Sequence, residues 1–485
     1  MSKTIKDKSD TLNKCCYLSA WIAIIVSLLI FFIISHPLVL RSADDWRYIN
    51  YWRDNAIPML GRGWNPARIL PEVLMPLAGS FGIYFLYPLG ISFTRAVSIS
   101  LGLFLVIFIC IYLRSFELMI KKLFDVTGSK LSIITGIFLV SHFWILRSSQ
   151  SGNSHLFDGG DPNLYFYYII PFLLNYSLVF ILFAYRNNIS SWNNHRKAVL
   201  FLALYFAVFS NLFSSIIIFV YAGFSFILAT IRIIKKKEDF RRNICNRKVE
   251  IAVIIMWLYS LLAEANGGRA KSIKNTAQSI GVLERLFQSI NNSLIHLSNM
   301  NKYYILFSII LLVCMTFFAL KRKKAFKKMT QIWILFALNG ICIYIYQVLL
   351  CSIVGPEYIT RSSVAATYLI CSVAVNAMII LCIVINVKES VVLLPILLMI
   401  ISSMCNTSEP AYDSALSWKT LMRLDEYYIS TIVEADQNGE TEVIIHNPEW
   451  NSIQTNDSEN LLRVYISSTL YKYRITNNHM NIEFD

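Results

Sequence analysis

Long apolar runs alternate with short basic or polar segments along most of the chain. A helix of about 20 apolar residues crosses the ~30 Å hydrocarbon core of a bilayer. The pattern predicts about eleven spans, at approximately 17–35, 92–113, 131–147, 164–184, 197–212, 214–234, 250–263, 303–320, 331–353, 364–387 and 391–405. We therefore expect an all-α polytopic membrane domain over residues 1–405, followed by a separate C-terminal region, 406–485.

The charged residues between these runs predict the orientation. Lys and Arg concentrate in the segments 1–16, 114–130, 185–196, 235–249, 321–330 and 388–390, whereas the loop 148–163 contains neither. Cytoplasmic loops carry an excess of Lys and Arg. The N-terminus is therefore expected in the cytoplasm, and the parity of the spans then places the C-terminal region outside.

A further apolar segment, 72–91, would invert the predicted orientation of every later span if it were counted as a span. Pro71, Pro76 and Pro88, together with the glycines of this segment, predict that it forms a poor continuous helix. Tryptophan and tyrosine residues are typical of the membrane–water boundary. We therefore interpret 37–91 as a first external loop of interfacial or re-entrant helices.

Composition supports the membrane class. The chain of 485 residues is 56% hydrophobic and 15% charged, with a mean hydropathy of +0.52. Its net charge of +14 would suggest nucleic acid for a soluble protein. Here the basic residues lie in short loops between apolar runs, so membrane lipids are the expected partner and nucleic acid is disfavoured.

Two adjacent carboxylates, Asp44 and Asp45, follow the first predicted span. An external carboxylate beside aromatic residues can act as a general base toward a sugar hydroxyl. Ser42-x-x-Asp45 also fits a helix-capping pattern, so Asp45 is either catalytic or structural, whereas Asp44 has no such local duty. Farther along the loop, Arg62 and Arg68 either bind a phosphate or anchor the loop at lipid headgroups.

The second external loop places His155, Asp158 and Asp161 close together in a polar, glycine-rich stretch. Their spacing matches no strong metal signature, and we expect neither a metal nor a cofactor. Two interpretations remain: these side chains form hydrogen bonds to a sugar, or they are ordinary turn residues.

Cationic residues mark two later external segments. In Glu264–Lys271, a glycine pair precedes Arg269 and Lys271, which predicts backbone amides and cationic side chains that bind a phosphate. The residues that follow, to about 302, have the pattern of an amphipathic surface helix. Between the ninth and tenth spans, Arg361 either pairs with Glu357 or binds a phosphate.

The C-terminal region, 406–485, reads as a small α/β unit. We expect a helix near 412–434, a strand at 442–446 and a second helix near 457–471. Its aromatic residues either pack in the core of the unit or stack on sugar rings; they are Trp418, Tyr427, Tyr428, Tyr465, Tyr471 and Tyr473.

Five features together resemble the GT-C membrane glycosyltransferases. They are the acidic pair, the Gly-Arg-rich first loop, the Asn-Gly-Gly-Arg segment, the late external Arg and the external tail. The chain is most similar to bacterial O-antigen-modifying glucosyltransferases of serotype-converting phages and prophages. That resemblance implies a bacterial inner-membrane enzyme with a periplasmic C-terminus. Its implied donor is a polyprenyl-phosphate-linked sugar, glucose in that family, and its implied acceptor is a lipid-linked or growing polysaccharide. Asp44 would be the catalytic base with Asp45 beside it, and Arg269 and Arg361 would contact the donor phosphate.

Two other functions fit the same layout. A polysaccharide polymerase would join whole repeat units, and a flippase would move a lipid-linked oligosaccharide across the membrane. The predicted spans contain few charged side chains, and those present, such as Arg95 and Arg232, lie near span ends. Ion-coupled transporters generally need such groups at membrane depth. This pattern disfavours the flippase and favours chemistry at the external surface.

Overall fold

The computed structural model describes residues 2–145, 160–185, 188–236, 247–276, 281–298, 300–321, 323–359, 364–384, 417–446 and 456–484. Regular structure in these ranges is almost entirely helical. The helices are α1 (Ser2–Leu29), α2 (Ala43–Tyr48), α3 (Ile69–Phe81), α4 (Phe93–Phe124), α5 (Ser129–Trp144), α6 (Ile170–Tyr185), α7 (Asn194–Val208), α8 (Leu212–Lys236), α9 (Lys248–Ala265), α10 (Gly268–Thr276), α11 (Val282–Ser298), α12 (Lys302–Lys321), α13 (Lys323–Val354), α14 (Val364–Val384), α15 (Trp418–Gln437) and α16 (Asn456–Lys472). The strands are β1 (Glu442–Ile445) and β2 (Asn481–Phe484).

Short turns of other helix types extend several of these helices. A π-helical turn, Ile30–Ser35, continues α1, and a second, Gly82–Leu86, continues α3 into the 3-10 turn Tyr87–Leu89. The helical turn Pro162–Leu164 and the π-helical turn Tyr165–Ile169 lead into α6.

Within the described ranges, six helical segments are long and apolar enough to cross a membrane: Lys14–Ser35, Ile69–Leu89, Phe93–Phe124, Pro162–Tyr185, Leu212–Ile231 and Phe336–Val354. Shorter apolar helices cover Lys130–Trp144, Lys302–Phe317 and Thr367–Ile383. The expectation of a helical protein with several apolar spans is confirmed at this level. The predicted span 391–405 lies outside the described residues.

Contacts between the first part of the chain and α4 define two ends of the helix bundle. Near the middle of α1, the Tyr17 hydroxyl and the Trp21 indole donate to the Glu117 carboxylate at 2.8 and 3.2 Å; we call this the far end. After α1, Trp46 stacks on Phe93, the first residue of α4, with ring centroids 6.1 Å apart. We call this the site end. Since α4 passes from the site end to the far end, it runs antiparallel to α1.

The segment Ile69–Leu89 is helical throughout, with Pro76 inside α3. The prediction of a poor continuous helix is confirmed in part, because the α-helix ends at Phe81 and π-helical and 3-10 turns follow. Gly79 and Gly82 serve a different purpose, because a Cβ added to either would lie 2.7 Å from a backbone carbonyl oxygen of a neighbouring segment. These glycines permit close approach of other chain segments while the helix continues.

Although this segment has the length of a span, both of its ends lie at the site end. At its start, the Ile69 and Leu70 N–H groups donate to the Phe209 carbonyl at 2.8 and 3.0 Å, in the turn between α7 and α8. At its other end, Tyr84 meets Tyr473 of the C-terminal region edge-on, with centroids 5.9 Å apart. α4 then begins at the site end. The interpretation of 37–91 as an external loop stays a prediction.

The C-terminal region folds as an α/β unit against the site end. Ser417 caps α15 through a hydrogen bond from the Thr420 N–H at 3.3 Å, so the helix begins at Trp418 and not near 412. β1 pairs in parallel with β2, a strand that the sequence analysis did not predict. Buried side chains of the unit, such as Ile466, belong to the same apolar cluster as Ile49 of the first loop.

The expected amphipathic surface helix is α11. Its apolar side chains Leu283 and Phe287 are 72% and 69% exposed, whereas Ser289 and Ser293 on the opposite face are fully buried. The Ser293 hydroxyl hydrogen-bonds to the Tyr344 hydroxyl at 2.6 Å. The polar face therefore packs on the protein and the apolar face points outward, as expected of a helix at a lipid boundary.

Candidate functional site

The acidic pair lies in the first turn of α2. The Ser42 side chain accepts a hydrogen bond from the Asp45 N–H at 3.2 Å, and the Asp45 carboxylate accepts from the Ser42 N–H at 2.8 Å. The same carboxylate oxygen accepts from the Arg41 N–H at 3.0 Å and from the Ser42 hydroxyl at 2.9 Å. This reciprocal arrangement is a capping box, so the capping pattern predicted from Ser42-x-x-Asp45 is confirmed.

The second external loop reaches Asp45 from the other side. The second carboxylate oxygen of Asp45 accepts from the Asn163 N–H at 3.0 Å. Asp161 lies beside it and caps the turn Pro162–Leu164 by accepting from the Leu164 N–H at 3.2 Å. Burial, and then the Asp161 carboxyl, hold the pKa of Asp45 well above its usual range. Asp45 has no exposed surface and ties the two loops together.

Asp44 differs from its neighbour in every respect that matters for chemistry. Its side chain is exposed at the surface of the site end. Its negative charge acts on the Arg47 guanidinium, one turn later, and on Tyr48. Of the two adjacent carboxylates, Asp44 is therefore the one that a substrate hydroxyl can reach.

Arg47 is a residue that the sequence analysis missed. Its guanidinium carbon lies 5.3, 5.5 and 5.4 Å from the ring centroids of Tyr48, Tyr51 and Tyr465, respectively. Tyr48 and Tyr51 were visible as near neighbours in sequence. Tyr465 belongs to α16, and no local pattern relates it to Arg47. The three rings hold the cation beside Asp44 through cation–π contacts.

Arg47 lines a cleft of about 80 Å³ formed by the first external loop. The cleft combines three arginines and three aromatic residues with two carboxylates: Arg47, Arg53, Arg62, Tyr48, Tyr51, Trp64, Asp54 and Glu72. Both Arg62 and Trp64 are exposed, Trp64 to 53%. Guanidinium groups bind phosphate oxygens, and exposed aromatic faces pack on sugar rings. The cleft therefore offers both kinds of contact next to Asp44.

Arg53 holds the wall of this cleft in place. Its guanidinium donates to the Asn55 and Asn65 carbonyls at 2.6 and 3.3 Å and also to the Pro66 carbonyl. It forms an ion pair with Glu72 of α3 at 2.7 Å, and both side chains are largely buried. The contacts with Asn65, Pro66 and Glu72 join distant parts of the loop, so we assign Arg53 to the shape of the cleft.

The Asn-Gly-Gly-Arg segment meets the Gly-Arg-rich part of the first loop. The Gly268 N–H donates to the Gly63 carbonyl at 3.0 Å, and the Arg269 N–H donates to the Trp64 carbonyl at 3.1 Å. A Cβ on Gly268 would lie 2.9 Å from the Trp64 ring. The prediction that these backbone amides bind a phosphate is wrong, because the first loop already accepts their hydrogen bonds. The glycines allow the two loops to pack closely.

The side chain of Arg269 reaches the fourth external segment. Its guanidinium carbon lies 5.1 Å from the centroid of the Tyr358 ring. Lys271 is exposed on α10 and points to solvent. Three of the four predicted external segments thus converge around Trp64 and Arg269, as expected for loops that share one face.

Arg68 does not line the cleft that Arg62 lines. Its guanidinium carbon lies 5.8 Å from the Tyr167 ring centroid, and its side chain is half-buried between the loop and the start of α6. Arg62 remains exposed in the cleft. Three other candidate residues, His155, Asp158 and Arg361, lie outside the described residues.

The aromatic residues of the C-terminal unit divide into two groups. Tyr428 and Tyr473 are 4% and 6% exposed and pack inside the protein, as one of the two interpretations predicted. Tyr427 and Tyr471 are 44% and 42% exposed. Tyr465 belongs to neither group. It is partly buried and covers the Arg47 guanidinium.

Comparison of the chain with protein-family models, curated proteins and solved structures finds no significant match. The functional proposal below therefore rests on the residues of this chain and their geometry.

Proposed function

We propose that this protein is a membrane glycosyltransferase that moves a sugar from a polyprenyl-phosphate donor to an extracytoplasmic polysaccharide, such as O-antigen. One observation carries the proposal: Asp44 is an exposed carboxylate beside a cleft of arginine and aromatic side chains, at the same bundle end as the converging loops. Asp45, although adjacent, is buried as a helix cap. The polyprenyl chain of such a donor would lie in the bilayer, and its phosphate would reach the membrane boundary.

The proposed reaction is a direct displacement at the anomeric carbon. Asp44 accepts the proton of the acceptor hydroxyl, whose oxygen forms the new bond to the anomeric carbon. The bond between that carbon and the phosphate oxygen breaks, and its electron pair leaves with the polyprenyl phosphate. Arg62 and Arg47 in the cleft, with Arg269 at its edge, neutralise the developing phosphate charge. Arg361 is retained in this proposal as a further phosphate contact.

We further propose about eleven spans, with the far end in the cytoplasm and the site end in the periplasm of a bacterium. Two features support this orientation. The basic segments 114–130 and 321–330 adjoin helix ends opposite Asp44, and the C-terminal unit packs on the same end as Asp44. The second feature supports a common side of the membrane for the C-terminal unit and the proposed base.

Glycan analysis of a host with and without this chain tests the proposal. We expect mass spectrometry of the polysaccharide repeat to show one additional hexose when the chain is present, with an unchanged distribution of polymer lengths. A host that expresses Asp44→Asn is the matched control, because it contains the protein without the proposed catalytic base. A shorter polymer on loss of the chain would point to a polymerase, and lipid-linked repeats retained in the cytoplasm would point to a flippase.

A further inference from the structure

The C-terminal end of α2 is completed by side chains from the C-terminal unit. The last carbonyls of a helix have no partner within it and need another donor. Here the Thr469 hydroxyl donates to the Trp46 carbonyl at 2.8 Å, and the Tyr473 hydroxyl donates to the Ile49 carbonyl at 2.5 Å. The Lys472 ammonium donates to the Asn50 carbonyl at 2.5 Å.

The contacts of Thr469 and Tyr473 are buried, whereas Lys472 is exposed. Thr469 has no exposed surface, and its hydroxyl also accepts a hydrogen bond from the Asn50 side chain. The Tyr473 hydroxyl lies against α3 as well, 3.4 Å from the Ser80 hydroxyl. Beside Tyr473 there is no space for a side chain on Gly79, whose Cβ would lie 3.3 Å from the Tyr473 oxygen. α16 is thus fitted to the end of α2.

A six-residue helix cannot hold its own geometry. Nucleation is unfavourable and helices below about 12–15 residues are marginal in water, so α2 depends on contacts at its two ends. Ser42 and Asp45 cap its N-terminus, and α16 caps its C-terminus. Lys472 also places a positive charge at the negative end of the helix dipole. Tyr465, from the same face of α16, covers Arg47.

We propose that the C-terminal unit is the positioning element of the proposed active site. Thr469 and Lys472 of α16, with Tyr473 directly after it, fix the end of α2 and thereby set the positions of Asp44 and Arg47. This inference rests on the proposed function of Asp44 for its catalytic consequence, but its structural part does not. The unit then acts through α2 and has no need to touch the substrate.

Two substitutions remove the cap while keeping side-chain size: Thr469→Val and Tyr473→Phe. Tyr471→Phe is the matched control, because Tyr471 lies on the same helix, is 42% exposed and packs on His479. Thr469→Ser retains the hydroxyl and is the conservative variant. Hydrogen exchange of the Ile49 and Asn50 amides, measured on the full chain in lipid nanodiscs, reports the order of α2 without any assay of activity.

We expect exchange at Ile49 and Asn50 to accelerate about fivefold to tenfold in Thr469→Val and in Tyr473→Phe, as for the loss of one buried hydrogen bond. Exchange should stay unchanged in Tyr471→Phe and in Thr469→Ser. In the transferase assay, kcat should fall about tenfold, and the donor KM should rise because α2 also carries Arg47, a proposed contact of the donor phosphate. If the wild-type chain shows no transferase activity but exchange is still faster in the cap variants, the proposed function is contradicted. The positioning of α2 by the C-terminal unit is then still supported.

Two outcomes would overturn the inference. Unchanged exchange at Ile49 and Asn50 in Thr469→Val and Tyr473→Phe would show that α16 does not order α2. Equal acceleration at Ile49 and at amides of the far end, such as Tyr17 and Trp21, would show a general loss of stability in place of local positioning.

Discussion

Asp44 and Asp45 are neighbours in sequence, and their surroundings separate their roles. Four donors converge on the two oxygens of Asp45. They are the backbone N–H groups of Arg41, Ser42 and Asn163 and the Ser42 hydroxyl. The capping pattern was readable from the sequence because it involves residues three positions apart. The approach of Asp161 and Asn163 was not, since it depends on how the two loops pack.

The first prediction concerns the cations of the cleft. Arg62→Ala and Arg47→Ala should each raise the donor KM about tenfold or more, because a charge-assisted hydrogen bond to phosphate contributes about 1.5–3 kcal/mol. Lys at position 62 should restore only part of the loss, since it cannot form a bidentate contact. Steady-state kinetics with a polyprenyl-phosphate sugar in nanodiscs measure the effect.

Arg423→Ala is the control for that prediction, because Arg423 is an exposed cation of the same bundle end outside the cleft. It should leave the donor KM unchanged. Wild-type KM values in Arg62→Ala and Arg47→Ala alike would mean that the donor phosphate binds elsewhere.

The second prediction concerns pH and Asp425 of α15. Burial, followed by the charges of Asp45 and Glu426, raises the pKa of Asp425 well above its usual range, and its Oδ2 atom lacks a hydrogen-bond partner. The folded state therefore holds a proton that the unfolded state releases. The stabilisation is complete below the unfolded carboxyl pKa of about 3.9 and is lost as pH rises through the raised value.

Asp425→Asn should accordingly flatten the decline of the unfolding temperature between pH 5 and pH 8 and should raise that temperature at pH 8. Thermal unfolding in detergent at several pH values checks this. Glu434→Gln, an exposed position on the same helix, should keep the wild-type dependence. Parallel pH profiles for wild type and Asp425→Asn would contradict the prediction.

Among the elements, α3 shows where a sequence pattern is insufficient. The segment Ile69–Leu89, which begins with α3, has the hydropathy and length of a span, and its prolines and glycines suggested interruption. Neither property decides its placement. Contacts at both of its ends decide it, with Phe209 at the start and Tyr473 at the end, and those contacts join residues that are far apart in sequence.

The packing of the third external segment on the first loop gives a prediction at the same scale. A Cβ at Gly267 would lie 2.6 Å from the Pro66 ring, which is rigid and cannot turn aside. Gly267→Ala should therefore separate the two loops and destabilise the protein by about 1–3 kcal/mol. The unfolding temperature should fall, and the fluorescence of Trp64 should shift toward that of a hydrated indole.

Gly281→Ala provides the control, because a Cβ at Gly281 has no atom within 4 Å. It should change neither the unfolding temperature nor the fluorescence. An unaltered Gly267→Ala variant would show that the contact between the two loops does not exist in the folded protein.

For the whole molecule, hydropathy predicted most helices of the bundle, and the C-terminal α/β unit was predicted apart from β2 and the start of α15. The sequence did not predict that this unit caps α2, because Thr469 and Trp46 are brought together only by the complete fold. It also did not predict that Tyr48, Tyr51 and Tyr465 surround the Arg47 guanidinium. Long-range packing determines both features, and a single sequence carries no local signal of them.

Orientation is tested by thiol accessibility in a variant whose native cysteines are replaced by alanine. Leu89→Cys, 73% exposed after α3, and a cysteine placed after Asp485 should both react with a membrane-impermeant reagent added from the periplasmic side. Lys121→Cys, exposed near the end of α4, should react only after the membrane is opened. Reaction of Lys121→Cys in intact cells would invert the proposed topology, and different sides for Leu89 and Asp485 would contradict the fold.

The most direct test of the account compares Asp44→Asn with Asp45→Asn by sugar transfer in membranes, normalised to protein level. Asp44→Asn removes the proton acceptor and should lower turnover by about 10²-fold or more without loss of stability. Asp45→Asn places an amide donor against the donors around Asp45, so it should cost about 1–3 kcal/mol of stability and retain measurable turnover. Full activity in Asp44→Asn, with or without loss of activity in Asp45→Asn, would contradict the assignment of Asp44 as the base.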